Sequence, residues 1–195
     1  MKVKICGVND KAAMQAASAA GADYVGICLY PPSPRAISIE DAARLVTDAG
    51  PGPLRVALMV DPDDDLVRAA AAIPVDMLQL HGSESPHRVE EIRKIAGRPV
   101  MKALGIRDRE DVEKISFYEG VADQILIDAK PPRDASRPGG NGLTFDWRLL
   151  TDRTWTAPWM LSGGLVPENV GDAVRLTGAR QVDVASGVES APGIK

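Results

Sequence analysis

Short apolar runs recur along the chain, with amphipathic segments between them. The strand-like runs are Val3–Cys6, Tyr24–Leu29, Arg55–Val60, Met77–Leu80, Val100–Leu104, Gln124–Asp128, Trp159–Ser162 and Val182–Ala185. They alternate little and are rich in Val, Ile and Leu, as strands buried on both faces of a parallel sheet are. The segments between them carry helix punctuation. Asn9 is placed to cap a helix bearing Ala13, Ala16, Ala17 and Ala20, with Gly21 as its stop. Ser38 with Asp41 resembles a capping box before Ala42, Leu45 and Val46. Ser85-Pro86 opens a helix carrying Val89 and Ile92, and Gly97 ends it. Asp108 precedes Val112 and Ile115, while Pro167 precedes Val170, Ala173 and Val174, with Gly178 beyond. The acidic run Asp61–Asp65 reads as a solvated helix start, where carboxylates favour the positive N-terminus.

Strand and helix alternate about eight times at a spacing of roughly 25 residues, which leaves few architectures. A doubly wound open sheet would show a phosphate-binding glycine turn after its first strand, and Cys6-Gly7-Val8 is not that turn. The expected fold is therefore α/β, a (β/α)8 TIM barrel forming one domain over residues 1–195. Such barrels typically take ~250 residues, so lean loops are expected. Only Ser186 to Lys195 follow the eighth run. The closing C-terminal helix is accordingly expected to be short or missing, and the coding sequence to continue past Lys195.

Composition narrows the function classes. At 45% hydrophobic and 26% charged the chain reads as an ordinary globular protein, with 4% aromatics leaving the core to Ala, Val, Leu and Ile. A formal net charge of −4 offers no basic footprint for nucleic acid or an anionic membrane, and it does not exclude a small anionic substrate. No apolar stretch approaches the ~18 residues of a membrane span, and the amino terminus has no signal-peptide h-region, so a cytoplasmic protein is expected. Cys6 and Cys28 have neither CxxC spacing nor histidine partners suited to a metal; no metal site is expected, and free thiols are favoured over a disulfide.

In a (β/α)8 barrel the working residues stand at the carboxyl ends of strands and in the loops after them. That rule selects Cys6, Arg35, His81, Asp128, Gly163-Gly164 and Ser186-Gly187. The loops after strands seven and eight commonly bind phosphate, and Gly163-Gly164 and Ser186-Gly187 would let a dianion approach backbone N–H groups. Glycines there also serve tight turns. A cysteine in a buried strand is ordinarily a small core residue, so composition and position alone favour packing for Cys6. Asp128 ends the run Ile125-Leu126-Ile127, where desolvation would favour the protonated form a general acid needs; its bland alternative is a solvated strand edge. His81 reads as a hydrogen-bonded structural residue. Lys102 and Arg35 are candidates for a substrate carboxylate or phosphate, or paired charges.

Taken together, the stretches Lys4-Ile5-Cys6-Gly7, Ser33-Pro34-Arg35, Leu78-Gln79-Leu80-His81-Gly82 and Lys102-Ala103 resemble phosphoribosylanthranilate isomerases, enzymes of tryptophan biosynthesis. The resemblance continues through Asp128, Gly139-Gly140-Asn141-Gly142, Phe145-Asp146-Trp147, Leu161-Ser162-Gly163-Gly164-Leu165, Asn169-Val170 and the stretch from Asp183 to Glu189. It implies an Amadori rearrangement of N-(5-phosphoribosyl)anthranilate to 1-(2-carboxyphenylamino)-1-deoxyribulose 5-phosphate, an aldose–ketose type of isomerisation without metal or organic cofactor. By resemblance Asp128 is the general acid and Cys6 the general base. Arg35 would hold the anthranilate carboxylate, Asp183 would stand close to the substrate, and Gly163, Gly164, Ala185, Ser186 and Gly187 would bind its phosphate. The expected partner is a small phosphorylated substrate, the assembly a monomer or homodimer. The chain departs from the family pattern at Ile27, where Phe is usual, at Asn141 in place of Thr, and at Ala185 in place of the first Ser of Ser-Ser-Gly. Two other readings compete: a bifunctional histidine/tryptophan-pathway isomerase, which uses an aspartate where this chain has Cys6, and a non-catalytic phosphate-binding barrel, which would need the loops but no acid–base pair.

Overall fold

The computed structural model describes residues 1–130 and 142–195. Eight parallel strands close into a barrel: β1 (Lys2–Cys6), β2 (Tyr24–Cys28), β3 (Leu54–Met59), β4 (Met77–Leu80), β5 (Val100–Ile106), β6 (Gln124–Ala129), β7 (Trp159–Leu161) and β8 (Gln181–Val184). Each pairs with its neighbours in sequence, and β8 closes on β1 with Lys4 opposite Asp183. The expected (β/α)8 barrel is the observed one.

Helices α1 (Lys11–Ala19), α2 (Ile39–Asp48), α3 (Asp64–Ala72), α4 (Pro86–Ala96), α5 (Arg109–Glu113) and α6 (Val170–Thr177) cover the outside. A 3-10 turn over Lys114–Phe117 extends α5, and among the described residues only a 3-10 turn over Trp147–Leu150 stands between β6 and β7. After β8 comes a 3-10 turn over Ser186–Val188 and no helix within the chain.

Period-two alternation sorts each strand into two layers. Val25, Ile27, Leu78, Leu80, Ile125 and Ile127 face outward into the large core against the helices. Tyr24, Val56, Met101, Ala103, Leu126 and Met160 face inward and form a separate core in the lower barrel. Above it the inward positions turn polar: Lys4, Gln79, Asp128 and Asp183 are all buried. A buried ionic group needs a partner, so this polar belt fixes where the chemistry can sit.

Helix starts follow the sequence signals with three corrections. Asp10, not Asn9, caps α1: its Oδ1 accepts the Ala13 N–H at 2.7 Å, while the Asn9 amide donates instead to the carbonyl of Gly193. Ser38 caps α2 as expected, yet Asp41 accepts from the Ser38 hydroxyl rather than from its backbone N–H, so only half of a capping box forms. The run Asp61–Asp65 divides. Asp63 caps α3 and Asp64 and Asp65 fill its first turn, but Asp61 adopts a positive φ of 45° and accepts the Ser83 N–H at 2.7 Å, which ties the loops after β3 and β4 together.

Candidate active site

A cleft enclosing about 820 Å³, open mouth included, lies at the carboxyl ends of the strands. Cys6 reaches it from β1, Cys28 from β2, Asp128 from β6 and Asp183 from β8; Arg35, His81, Gly163, Gly164, Ala185 and Ser186 come from the loops. Strand-end placement, applied to the sequence, thus gathers residues from opposite sides of the barrel into one cavity. Gly187 is the exception. It does not line the cleft but packs against the Leu165 carbonyl so closely that a side chain would collide.

Asp128 is held at both oxygens. Oδ1 accepts the Ala129 N–H at 2.8 Å, and Oδ2 stands 3.2 Å from Nε2 of His81. The other His81 nitrogen, Nδ1, lies 3.0 Å from the Gln79 amide nitrogen. With that amide donating to Nδ1, the imidazole is the Nε2–H tautomer and donates to Asp128, an assignment that rests on the hydrogen-bond network. His81 is hydrogen-bonded as the sequence suggested, yet its partner is the proposed acid, and it lines the cleft.

Cys6 and Cys28 are free thiols, buried with Leu58 at the floor of the cleft. Burial pushes the Cys6 thiol up, Lys4 pulls it down and Asp183 adds to the rise, leaving it at about 11. Lys4 is wholly buried and donates to Asp183 Oδ1 at 2.9 Å; Asp183 Oδ2 accepts from Ser162 Oγ at 3.4 Å. Burial works against the Lys4 ammonium, but Asp183 and the Cys6 sulfur more than offset it and raise its pKa.

Arg35 grips Glu189 with two parallel bonds, Nε to Oε1 and Nη2 to Oε2, both 2.7 Å. Lys195 Nζ joins at 2.9 Å from Oε1. Burial disfavours the Glu189 carboxylate, yet these two cations hold it below the ordinary glutamate range; the same Glu189 bonds raise Arg35. One edge of the guanidinium is thereby oriented and committed, and a planar fork keeps further N–H donors for a ligand.

Gly163 and Gly164 adopt φ of 91° and 61°, where a Cβ would be strained and would press on Ala129 N and the Leu143 carbonyl respectively. They make a tight turn, and among the described residues their N–H groups donate to no protein acceptor. Ser186 lines the cleft from the 3-10 turn that follows β8. Gly139, Gly140 and Asn141 lie outside the described residues.

Lys102, the other cation singled out in the sequence, faces away from the cleft. It is a paired charge, bound to Glu84 Oε2 at 2.8 Å and to the carbonyls of Gly82 and Leu80. Sequence reasoning missed Lys4 and Glu189. For Lys4 a signal existed: it lies two residues before Cys6 on one strand, hence on the same face. Among the described residues, no group of three or more His, Cys, Asp or Glu could hold a metal ion, and no helix is long and apolar enough to cross a membrane.

The family model for N-(5'-phosphoribosyl)anthranilate (PRA) isomerase matches residues 3–195. The isomerase of Cereibacter sphaeroides is 55% identical over 100% of this chain and 92% of its own length, and that of Rhizobium meliloti is 50% identical over 100% and 91%. Among solved structures, the phosphoribosyl anthranilate isomerase of Thermotoga maritima superposes with a TM-score of 0.85 at 36% identity, covering 100% of this chain and 92% of that one. An isomerase in complex with reduced 1-(o-carboxyphenylamino)-1-deoxyribulose 5-phosphate gives 0.84 at 34%, with the same coverage. The chain belongs to the N-(5'-phosphoribosyl)anthranilate isomerase family.

Proposed function

We propose that this chain isomerises N-(5-phosphoribosyl)anthranilate to 1-(2-carboxyphenylamino)-1-deoxyribulose 5-phosphate, with Asp128 as general acid and Cys6 as general base. The observation that carries the mechanism is the shared cleft: a carboxyl group and a thiol from different strands line one cavity that also holds the glycine loops after β7 and β8. Membership in the isomerase family supports the choice of reaction.

The Asp128 proton goes to the furanose ring oxygen as the C1–O bond breaks, and the anilino nitrogen lone pair forms the C1=N iminium. The Cys6 thiolate then takes the C2 proton. The C2–H electrons form C1=C2, and the C=N pair returns to nitrogen, giving an enolamine. Protonation at C1 and loss of the enol proton give the aminoketone. The iminium places a positive charge next to the thiol when a thiolate is needed, which favours its ionisation.

Arg35 takes the anthranilate carboxylate on the guanidinium edge that Glu189 leaves, Asp183 stands against the ribose, and the Gly163, Gly164, Ala185 and Ser186 backbone receives the phosphate. Gly187 supports that loop by close packing. The scheme asks for no metal or organic cofactor.

Loss of substrate fluorescence measures the reaction directly. Cys6→Ser and Asp128→Asn are each expected to lose turnover by about 10²-fold or more while still binding a reduced product analogue. Full turnover in Cys6→Ser sinks the base assignment. A wild-type protein that binds the analogue but never consumes substrate points instead to a non-catalytic phosphate binder.

A further inference from the structure

A thiol buried at the floor of a cleft is a poor source of thiolate. We propose that Lys4 is a positioning residue for Cys6: its ammonium, anchored by Asp183, stands beneath the thiol and supplies the fixed positive charge that brings the thiolate within reach. This rests on Cys6 being the base.

Three observations carry it. Lys4 and Cys6 are two residues apart on β1, so both side chains enter the barrel on one face. Gly26 of β2 makes room for them. A Cβ at that position would lie 2.7 Å from Cys6 Sγ and 3.1 Å from Lys4 Nζ, so the sulfur and the ammonium share the space the glycine leaves. Lys4 has no solvent exposure and does not line the cleft, whereas Cys6 and Asp183 do. Lys4 therefore does not touch the substrate itself and acts on it through the cleft residues it holds, Cys6 and Asp183.

Lys4 is not the only charged group near Cys6. Around Cys6 stand Cys28 from β2, Asp183 from β8 and Arg35 from the loop after β2; Cys6 clusters with Cys28 and Leu58, and Val60, Ala185 and the phenol-bearing Tyr30 pack against that cluster. Cys28 and Asp183 oppose a thiolate. Arg35 has Nε and Nη2 committed to Glu189. Asp183 has two consequences: its charge disfavours the thiolate, but without it the desolvated Lys4 would surrender its proton. The pair Lys4–Asp183 is thus a cation held in place at the cost of a nearby anion, with the cation the stronger influence on sulfur.

Ionisation of Cys6 can be read without turnover, from the rate at which iodoacetamide alkylates it, with mass mapping to separate it from Cys28. At pH 8, Lys4→Met is expected to slow Cys6 alkylation tenfold or more, leave Cys28 nearly unchanged, and move the basic limb of kcat/KM to higher pH by the same amount. Lys4→Arg, which keeps the charge, should recover part of the rate. Should Lys4→Met fail to fold around its unpaired carboxylate, Lys4→Met/Asp183→Asn removes both charges and is expected to alkylate at a rate between wild type and the single variant. Wild-type alkylation of Cys6 in either folded variant overturns the proposal. The two layers fail separately: slowed alkylation with an active Cys6→Ser retains Lys4 as the thiol's cation but removes Cys6 as base. An inactive Cys6→Ser with unchanged alkylation does the reverse.

Discussion

Two lysines, Lys4 and Lys102, are buried in this barrel, and they do opposite things. Lys102 projects outward from β5 and has a partner at every turn: Glu84 Oε2 and the Gly82 carbonyl at 2.8 Å, the Leu80 carbonyl at 3.4 Å, and the Tyr118 ring with its centroid 5.8 Å away. Glu84 in turn accepts the Asp61 and Gly82 N–H groups, so the lysine clamps the loops that follow β3 and β4. Lys4 projects inward from β1 to one carboxylate and one thiol. Burial lowers the Lys102 pKa, with Glu84 offsetting only part, whereas Asp183 and Cys6 outweigh burial at Lys4 and raise it. A buried cation is therefore no mark of function by itself. What separates the two is whether the partners are backbone carbonyls that hold shape or a sulfur that can react.

The strongest way to break this contrast is to remove the clamp. Lys102→Met leaves Glu84 buried without its cation, a change expected to cost about 3–5 kcal/mol of stability in urea unfolding. Its kcat, per folded molecule, should stay within a few-fold of wild type. A collapsed kcat with unchanged stability would place Lys102 in the reaction and end the contrast.

Gly26→Ala tests the Lys4 side by crowding it. The added methyl meets the Cys6 sulfur and the Lys4 ammonium together, so a loss of about 1–3 kcal/mol is expected, accompanied by a fall in kcat. The acid side has a parallel in His81, which holds Asp128 as Lys4 accompanies Cys6. His81→Gln is expected to lower kcat about tenfold, equivalent to ~1.4 kcal/mol of barrel-side positioning, with KM little moved. Equal loss in KM would make His81 a substrate contact instead of a support for the acid.

The same two lysines mark how far the sequence could be read. Strands were legible because each is a continuous apolar run; β4 falls on Met77–Leu80 as expected, and β2 differs by one residue. Strand-end logic likewise brought Cys6, Asp128 and the glycine loops to one cleft. Lys102 stayed open between a ligand for a substrate anion and a paired charge, because an unalternating apolar run does not say which face its side chain takes. Strand-end logic passed over Lys4, which lies inside the run Val3–Cys6 rather than at its end and meets its partner only when β8 closes on β1 and sets Asp183 opposite. The Arg35–Glu189 pair was hidden for a similar reason, as the partners are 154 residues apart and meet only when the barrel has closed. The sequence reading put the α1 cap on Asn9; Asp10 takes it instead, while the Asn9 amide donates to the carbonyl of Gly193, a partner brought there only by the fold.

The smallest expected effect is also the one that reads the two environments most directly. Lys102 has a lowered folded-state pKa, so between that value and the unfolded ~10.4 the unfolded chain binds more protons and stability rises with pH. Lys4 has a raised one, so its contribution is fully present below ~10.4 and is lost as pH climbs from there towards the folded-state value. Urea unfolding from pH 8 to 11 should therefore give two curves of opposite sense. The stability gap between parent and Lys102→Met widens as pH approaches ~10.4; the gap between parent and Lys4→Met shrinks above it. Each involves one proton, so neither slope exceeds about 1.4 kcal/mol per pH unit. The Cys6 thiol titrates in the same range beside Lys4, and a Cys6→Ser parent removes it as a variable. Gaps that run parallel across the range would mean that both lysines sit in equivalent surroundings, and the distinction between clamp and thiol partner would have to rest on alkylation alone.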